Sequence, residues 1–390
     1  MYNIKTLNAI SPVYKDILAG DEYLVSADID VADAIMVRSA DMHETALPEQ
    51  TLCVARAGAG TNNIPVDKYA EQGVVVFNSP GANANAVKEL VIAGLLLASR
   101  DIAGGIEWAG TLKGNGAEVG KMVEKGKKAF VGPELSGKKL GVIGLGEIGA
   151  LVANAGYALD MEVLGYDPYI SVDHAWKLSR AVRHVIDINE IIETCDYITV
   201  HIPLLDSNRG MFNKETFAKM KPGAALLNFS RGELAVTEDV IAALEAGQLR
   251  KYVTDVPNDA LLGVKNCVCI PHLGASTPES EDNCVRMVAR QVDKYLKTGA
   301  IVNSVNFPNC EPGAVNSARI VCLHQNVPNV VGSITSLIAS QGINIDNMMN
   351  KSRGKHAVTV LDLDDVPGEA LVEILKGLPN TYRTRLILPQ

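Results

Sequence analysis

The chain has 390 residues, 47% hydrophobic and 21% charged, proportions of a folded protein with sizeable cores and room for two or three domains. Its 36 basic and 45 acidic residues give a net charge of −9, which argues against nucleic acid or an acidic membrane as a general partner. The 7 cysteines include no CxxC pair, and Cys267-Val268-Cys269 is read as turning its thiols to opposite faces of a strand, so reduced thiols are expected rather than disulfides or a metal site. The start, Met1-Tyr2-Asn3-Ile4-Lys5, lacks the regions of a signal peptide, and the apolar run at 90–98 is too short for a bilayer, so a cytoplasmic protein is expected.

In chain order, residues 4–80 alternate short apolar runs with helical patterns. Strands are expected at 34–37, 52–55 and 74–77, with a helix at 66–72 between the last two. An apolar helix at 86–100 leads into a second unit, whose later strands are read at 197–202, 224–229, 251–256 and 267–270. A helix at 237–249 stops near Gly247, and a long helix at 278–298 returns the chain to the first unit. Residues 303–317, with Pro308, Pro312 and Gly313, resemble a linker. Beyond it come a strand at 319–323, a helix at 330–340, strands at 343–350 and 356–363, a helix at 369–378 and a strand at 382–388. That order, βαββαβ, is an independent ferredoxin-like module. The fold class is α/β, with two doubly wound parallel sheets and this third module.

The most informative stretch is the strand at 139–145 running into Gly144-Leu145-Gly146-Glu147-Ile148-Gly149, then a helix at 147–159, a strand at 162–166 and Asp167. Gly144 permits a tight turn, Gly146 lets the backbone approach a pyrophosphate, and Gly149 lets helix and strand pack closely. The helix start offers free N–H groups to the phosphates. Asp167 follows Gly149 by 18 residues, near the roughly 20 expected of the acid that bonds the ribose hydroxyls. No Arg follows it to meet a 2′-phosphate, which favours NAD over NADP.

Arg231 and His272 each follow a parallel strand, at the end that faces the ligand crevice. The guanidinium fork suits a carboxylate or a carbonyl oxygen gaining charge, and an imidazole there is a competent acid–base near neutral pH. His201 ends another strand and is read as lying near the cofactor. A carboxylate would orient the acid–base His; Asp259 is the candidate, with Asp255 assigned to the cofactor or to structure. Arg38-Ser39 and Arg56-Ala57-Gly58 follow strands of the first unit and suit a phosphorylated, anionic substrate. Taken singly, each of these residues also fits a plain structural role. The lysine-rich segment 113–139, with Lys125, Lys127, Lys128, Lys138 and Lys139, is read as a solvated loop that contributes at most a minor charge to a phosphate.

Together the runs Ala55-Arg56-Ala57-Gly58-Ala59-Gly60-Thr61-Asn62-Asn63, Gly144-Leu145-Gly146-Glu147-Ile148-Gly149, His201-Ile202-Pro203-Leu204, Asn228-Phe229-Ser230-Arg231-Gly232 and Pro271-His272-Leu273-Gly274-Ala275-Ser276-Thr277 resemble the D-isomer-specific 2-hydroxyacid dehydrogenase family over nearly the whole chain. The C-terminal module is similar to an ACT domain. The resemblance implies a discontinuous substrate-binding domain (1–97 and 275–305), an NAD-binding Rossmann domain (98–274) and a regulatory domain (318–390). It implies that His272 takes the hydroxyl proton as hydride leaves C2, that Arg231 holds the carboxylate or developing carbonyl, and that Asp259 stands where the family has Glu. Cofactor contacts are implied at Gly144, Gly146, Glu147, Ile148, Gly149, Asp167, His201, Pro203, Ser230, Asp255, His272 and Gly274. Arg38, Ser39, Arg56, Gly58 and Asn83 match substrate positions of members that oxidise 3-phospho-D-glycerate to 3-phosphohydroxypyruvate, at the opening of serine biosynthesis.

His324, Asn326 and Asn344 match positions that hold serine between paired ACT modules, implying feedback control and a homodimer or homotetramer, with motion at 303–317. The chain departs from the family at Asp259, at Pro257 after Val256 where an aromatic is usual, at Ala40 where some members have a second Arg, and at Asn329 where Gly is usual. Two alternatives remain. One is a family member acting on an unphosphorylated hydroxyacid of the glyoxylate or 2-oxoglutarate type. The other is a non-catalytic, NAD-sensing corepressor.

Overall fold

The computed structural model describes residues 1–389, which divide into two compact units: Met1–Asn83 with the chain from Glu281 onward, and Ala84–Ser280. The first contains a five-stranded parallel sheet of β1 (Tyr2–Leu7), β2 (Tyr23–Ser26), β3 (Ala34–Val37), β4 (Cys53–Arg56) and β5 (Val75–Phe77), in the order β2-β1-β3-β4-β5. All four residues of β3 are buried, as a central parallel strand covered on both faces requires. β1 and β2 escape the sequence reading: β1 intersperses polar residues with its apolar ones, and β2 has an apolar run of only three, Tyr23-Leu24-Val25. The helix Pro278–Thr298 supplies Val288, Val292 and Leu296 to the core around Met36, Ala55 and Phe77.

Residues 303–317 are not a free linker. Ser304 bridges to Phe77 and Val305 N–H donates to Val76 O, so the segment covers the open edge of β5. Buried Asn306 accepts from Val76 N–H at 3.0 Å and donates to Val74 O at 2.9 Å. Its prolines mark turns, yet the amide of Asn306 and the ring of buried Phe307 tie it down.

In the same unit, the C-terminal strands β13 (Ala318–Gln325), β14 (Ile345–Arg353), β15 (His356–Leu363) and β16 (Thr381–Ile387) form an antiparallel sheet. Its order is β14-β15-β13-β16, and the helices Val330–Ser340 and Glu369–Lys376 complete the expected βαββαβ topology. Alternation along β13 sends Ile320 and Cys322 to the core beneath the helices and Val321 and Leu323 to the other face. That second face is not solvated: it merges with Tyr295, Leu296, Phe307 and the first sheet's core. The module is therefore packed into the first unit rather than independent of it.

The second unit holds seven parallel strands: β6 (Lys139–Ile143), β7 (Glu162–Tyr166), β8 (Arg183–His184), β9 (Tyr197–Val200), β10 (Ala224–Asn228), β11 (Leu249–Thr254) and β12 (Cys267–Cys269). Their order, β12-β11-β10-β9-β6-β7-β8, is the dinucleotide-binding one with an added edge strand. The switch point lies between β6 and β9, where strand order reverses. Two boundaries differ from expectation. The helix Thr237–Glu245 ends early, because Gly247 at φ +70 turns the chain and Leu249 already begins β11. The lysine-rich segment is partly helical, at Val119–Gly126, with Lys121–Glu118 and Lys127–Glu124 pairs on its exposed surface. Glycines disguised it; Gly126 is required because Trp108 lies where a side chain would stand.

Candidate active site

At the end of β6, Gly144 adopts φ +90, and a Cβ there would press to 2.5 Å on the carbonyl of His201. A Cβ on Gly149 would collide with the Gly144 carbonyl, so helix Glu147–Ala158 can approach β6 this closely only with glycine. A Cβ on Gly146, the N-cap, would meet nothing within 4 Å. Closed packing beneath the turn and open space above it are the two demands of a pyrophosphate cradle at a helix N-terminus. Asp167, at the end of β7, accepts from Leu145 N–H at 2.9 Å and from Tyr169 N–H at 2.9 Å, tying the acid to the turn. Glu147 is engaged by Lys177 at 2.9 Å and His174 at 3.2 Å, and hydrogen bonds from these side chains, Lys177 foremost, hold its carboxyl below the usual range. Ile148 lies half-buried under the same turn and Pro203 is exposed beyond β9.

The three adjacent strands β10, β11 and β12 deliver Arg231, Asp255 and His272 from neighbouring ends. Arg231 is exposed, with its Nη1 donating to Ser230 O at 2.8 Å. Its loop is held by buried Asn228, whose Nδ2 donates to Arg231 O at 2.8 Å and whose Oδ1 accepts from Ser230 N–H. Ser230 Oγ donates to Val200 O at 2.7 Å, locking the loop to β9. Asn228 was quoted in the motif but assigned no role; a buried polar side chain at a strand end is the signal that marks it.

Asp255 is only 3% exposed, and its Oδ1 has no hydrogen-bond partner. Burial raises its pKa; the His272 charge opposes this most, followed by the backbone amides of Asp255 and Gly274 and the charge of Arg231. Gly274 is needed here, since a Cβ would stand 3.3 Å from Asp255 Oδ2. Asp259, expected beside His272, instead begins an exposed turn, Asp259–Leu261, capped by Asn258. Among the described residues neither Asp259 nor Asp255 makes a hydrogen bond to the His272 ring; Asp255 is set apart by its burial and by the His272 charge acting on it. The carboxylate electrostatically linked to His272 is that of Asp255.

His201 lies at the end of β9, its Nε2 2.9 Å from Thr199 Oγ1 and its Nδ1 shut off from solvent without a partner. Desolvation pushes its pKa down to about 3, so the ring is neutral and unsuited to carrying a proton near neutrality.

In the first unit, Arg38 and Arg56 end adjacent strands, and Arg56 Nε donates to Arg38 O at 3.2 Å. Burial, with the nearby Arg38 charge, lowers the pKa of Arg56. Gly58, at φ +150, has to lack a side chain because the Arg56 guanidinium fills that space. Arg38 pairs with Glu281 at 2.5 Å, a partner the sequence did not point to. The N–H groups of Ser39 and Ala40 both donate to Asn8 Oδ1, at 3.2 and 2.6 Å. Asn83 is half-buried at the close of this stretch.

His324 is 2% exposed, with Nδ1 2.8 Å from Gln325 O and Nε2 2.8 Å from Thr359 Oγ1. Asn326 donates to Gly354 O, and Asn344 to Asp346. His324 pairs across from Ala357, whereas Ile345 pairs with Leu363. Six residues of β15 separate those positions, about 20 Å. One module therefore does not bring Asn344 to the other two.

Residues 102–274 match the family model for the D-isomer specific 2-hydroxyacid dehydrogenase NAD binding domain. The D-3-phosphoglycerate dehydrogenase of Haemophilus influenzae is 30% identical over 391 residues, covering 96% of this chain and 90% of the relative. This chain belongs to the D-isomer-specific 2-hydroxyacid dehydrogenase family. Another dehydrogenase of the family, the D-3-phosphoglycerate dehydrogenase of Methanocaldococcus jannaschii, is 38% identical over 71% of this chain. The chain spans about half the length of several such relatives, 52% of that one and 54% of the one from Synechocystis. Among solved structures, the NAD+-bound 3-phosphoglycerate dehydrogenase of Entamoeba histolytica superposes with a TM-score of 0.60 at 25% identity, over 78% of this chain and 98% of that one. No helix among the described residues is long and apolar enough to cross a membrane.

Proposed function

We propose that this dehydrogenase oxidises 3-phospho-D-glycerate to 3-phosphohydroxypyruvate with NAD, supplying serine biosynthesis in the cytoplasm. The observation that carries the reading is the set Arg231, Asp255 and His272 at neighbouring strand ends, in the unit that carries the Gly144–Gly149 cradle. When bound, NAD accepts the hydride. Gly144, Gly146 and Gly149 would hold its pyrophosphate and Asp167 its ribose hydroxyls. His272 takes the proton from the C2 hydroxyl, the O–H electron pair forms the C=O bond, and the C2 hydrogen leaves as hydride with the pair of the broken C–H bond. Arg231 steadies the carboxylate and the carbonyl oxygen. Asp255, through its charge, favours the protonated imidazole that forms. Asp259, at the family's Glu position, is the competing candidate for that role.

Arg38 and Arg56 are the candidate holders of the phosphate, with Ser39, Gly58 and Asn83 around them; Ala40 leaves those two guanidiniums as the principal donors. Their pairing favours a phosphorylated acid over glyoxylate or 2-oxoglutarate. The presence of an acid–base His with a carboxylate favours an enzyme over an NAD sensor. Serine control rests on Asn326 and Asn344. Their separation within one module calls for two modules side by side, and so for at least a homodimer. Both ring nitrogens of His324 already have internal partners, so its part is to shape that end of the sheet.

The test is the initial rate of NAD reduction with 3-phosphoglycerate, with and without L-serine, beside His272→Ala. Turnover that the variant loses supports the enzyme, and its suppression by serine supports the regulatory reading. Turnover unaffected by serine retains the enzyme and removes the effector. Cofactor binding without turnover rejects the substrate assignment.

A further inference from the structure

The two thiols of Cys267-Val268-Cys269 do not point to opposite faces. A strand repeats every two residues, so positions 267 and 269 share a face, and their sulfurs lie 3.7 Å apart. These are also the two cysteines that are not buried; Cys53, Cys195, Cys284, Cys310 and Cys322 all are. β12, which carries them, is the edge strand of its sheet, so one side of it has no strand neighbour. The Leu261 carbonyl stands 3.7 Å from Cys269 Sγ.

At this separation the thiols are in contact, one able to donate to the other, and the spacing suits some further uses of the pair better than others. A disulfide requires the sulfurs to close to about 2.05 Å with a dihedral near 90°, which two residues fixed at alternate positions of one strand reach only by distorting it. Two thiolates on adjacent corners of a tetrahedral ion, each about 2.3 Å from the metal, stand about 3.8 Å apart. The resting geometry has that span without rearrangement. We propose that Cys267 and Cys269 form a bidentate thiolate site for a soft divalent metal ion of the zinc and cadmium class.

Binding breaks two S–H bonds, forms two sulfur–metal bonds and releases two protons to solvent, with no change of oxidation state. Among the described residues no group of three His, Cys, Asp or Glu side chains could hold a metal, so the protein offers the ion two ligands here. The site is therefore exchangeable, unlike a closed structural zinc site with four protein ligands. The metal displaces both thiol protons, so binding can be followed as proton release. Cys269 stands three residues before His272 in the chain, which places bound metal close in sequence to the proposed acid–base.

The experiment is a titration of cadmium chloride into the reduced full chain, followed by the ultraviolet thiolate-to-cadmium charge-transfer band and by proton release. One ion per chain, two protons per ion, and loss of the band in Cys267→Ser and in Cys269→Ser are expected. Should either variant fold poorly, alkylation of the unaltered chain followed by peptide mass analysis gives the same answer, with cadmium protecting both cysteines together. A band that survives in the double variant, or cadmium that leaves the two thiols open to alkylation, overturns the site.

Discussion

Arg383, on β16 of the C-terminal sheet, donates from Nη1 to the backbone carbonyl of Thr51 at 2.8 Å, joining the last strand of the chain to the segment before β4. Its Nη2 reaches Glu49 O at 2.9 Å and Gln72 O at 3.2 Å. Arg385 on the same strand donates to Tyr295 O and Leu296 O, with its guanidinium 4.9 Å from the Tyr295 ring centre. These arginines satisfy carbonyls that turns and helix ends leave without partners. Arg383→Ala should cost about 2 kcal/mol, because three acceptors lose a charged donor at a half-exposed site. Urea unfolding measures this as a lower midpoint at unchanged slope; an unchanged midpoint would show the contacts to be energetically idle.

Arg319 gives a harsher case. Its side chain is wholly buried, pairing with Asp362 at 2.6 Å and donating to Thr298 O, Gly313 O and Ala314 O, each at 3.0 Å. Arg319→Met leaves a half-buried carboxylate and three carbonyls without their donor, and a loss of about 3–5 kcal/mol is expected. Arg319→Met together with Asp362→Leu should recover part of it, since a matched apolar pair removes the stranded charge. No recovery in the double variant would assign the loss to the carbonyls alone.

The glycine turn predicts opposite outcomes for two neighbouring substitutions. Gly149→Ala drives a methyl into the Gly144 carbonyl, so stability and NADH binding should both fall. Gly146→Ala meets no protein atom, so its melting temperature should be unchanged while NADH binds about tenfold more weakly, a difference of about 1.4 kcal/mol. Calorimetry and NADH fluorescence separate the two. Equal NADH affinity in Gly146→Ala would mean the pyrophosphate lies elsewhere.

The two acids near His272 can be ranked by rate profile. Asp255→Asn removes the negative charge that favours a protonated imidazole, so the acidic limb of kcat for hydroxyacid oxidation should move to lower pH and the maximum should fall. Asp259→Asn should change it little, as that carboxylate is exposed on a turn. A larger loss from Asp259→Asn would return the partner role to the position the family pattern assigns.

His201 predicts how the fold responds to acid. Above about pH 6.5 the ring is neutral in both folded and unfolded chains, and pH has no leverage through it. Below that, the unfolded chain takes up a proton that the folded ring refuses until about pH 3, so stability falls as pH drops. From pH 6.5 to 4.5 the loss is about 2 kcal/mol from this residue. His201→Gln should flatten that part of the stability curve; an equally steep curve would assign the acid sensitivity to other groups.

The dinucleotide unit was legible because its signals are local: apolar strand, glycine spacing and acid all fall between residues 139 and 167. The ACT-like topology was legible for the same reason, from alternating and helical periods. What packs between segments was not. The run Ile320-Val321-Cys322-Leu323 makes both faces of β13 apolar, yet it does not say that the core of the first sheet covers the second of them. Asn306 looked like a loop residue until β5 supplied both of its partners. Asp255 and Asp259 were ranked by motif position, while burial at the end of β11, a tertiary property, distinguishes them. The thiol pair was misread by neglecting the two-residue repeat.

The first unit is assembled from the two ends of the chain, whereas Ala84–Ser280 is continuous. During synthesis the continuous unit can close on itself while Met1–Asn83 still waits for the helix and sheet that complete its core. β5 then presents an uncovered edge until Asn303–Val305 emerges, and the apolar residues around Met36 and Phe77 stay wet until the helix Pro278–Thr298 arrives. Completing the first unit therefore requires closing a loop as long as the whole central unit, and until then its N-terminal sheet keeps apolar surface open to water.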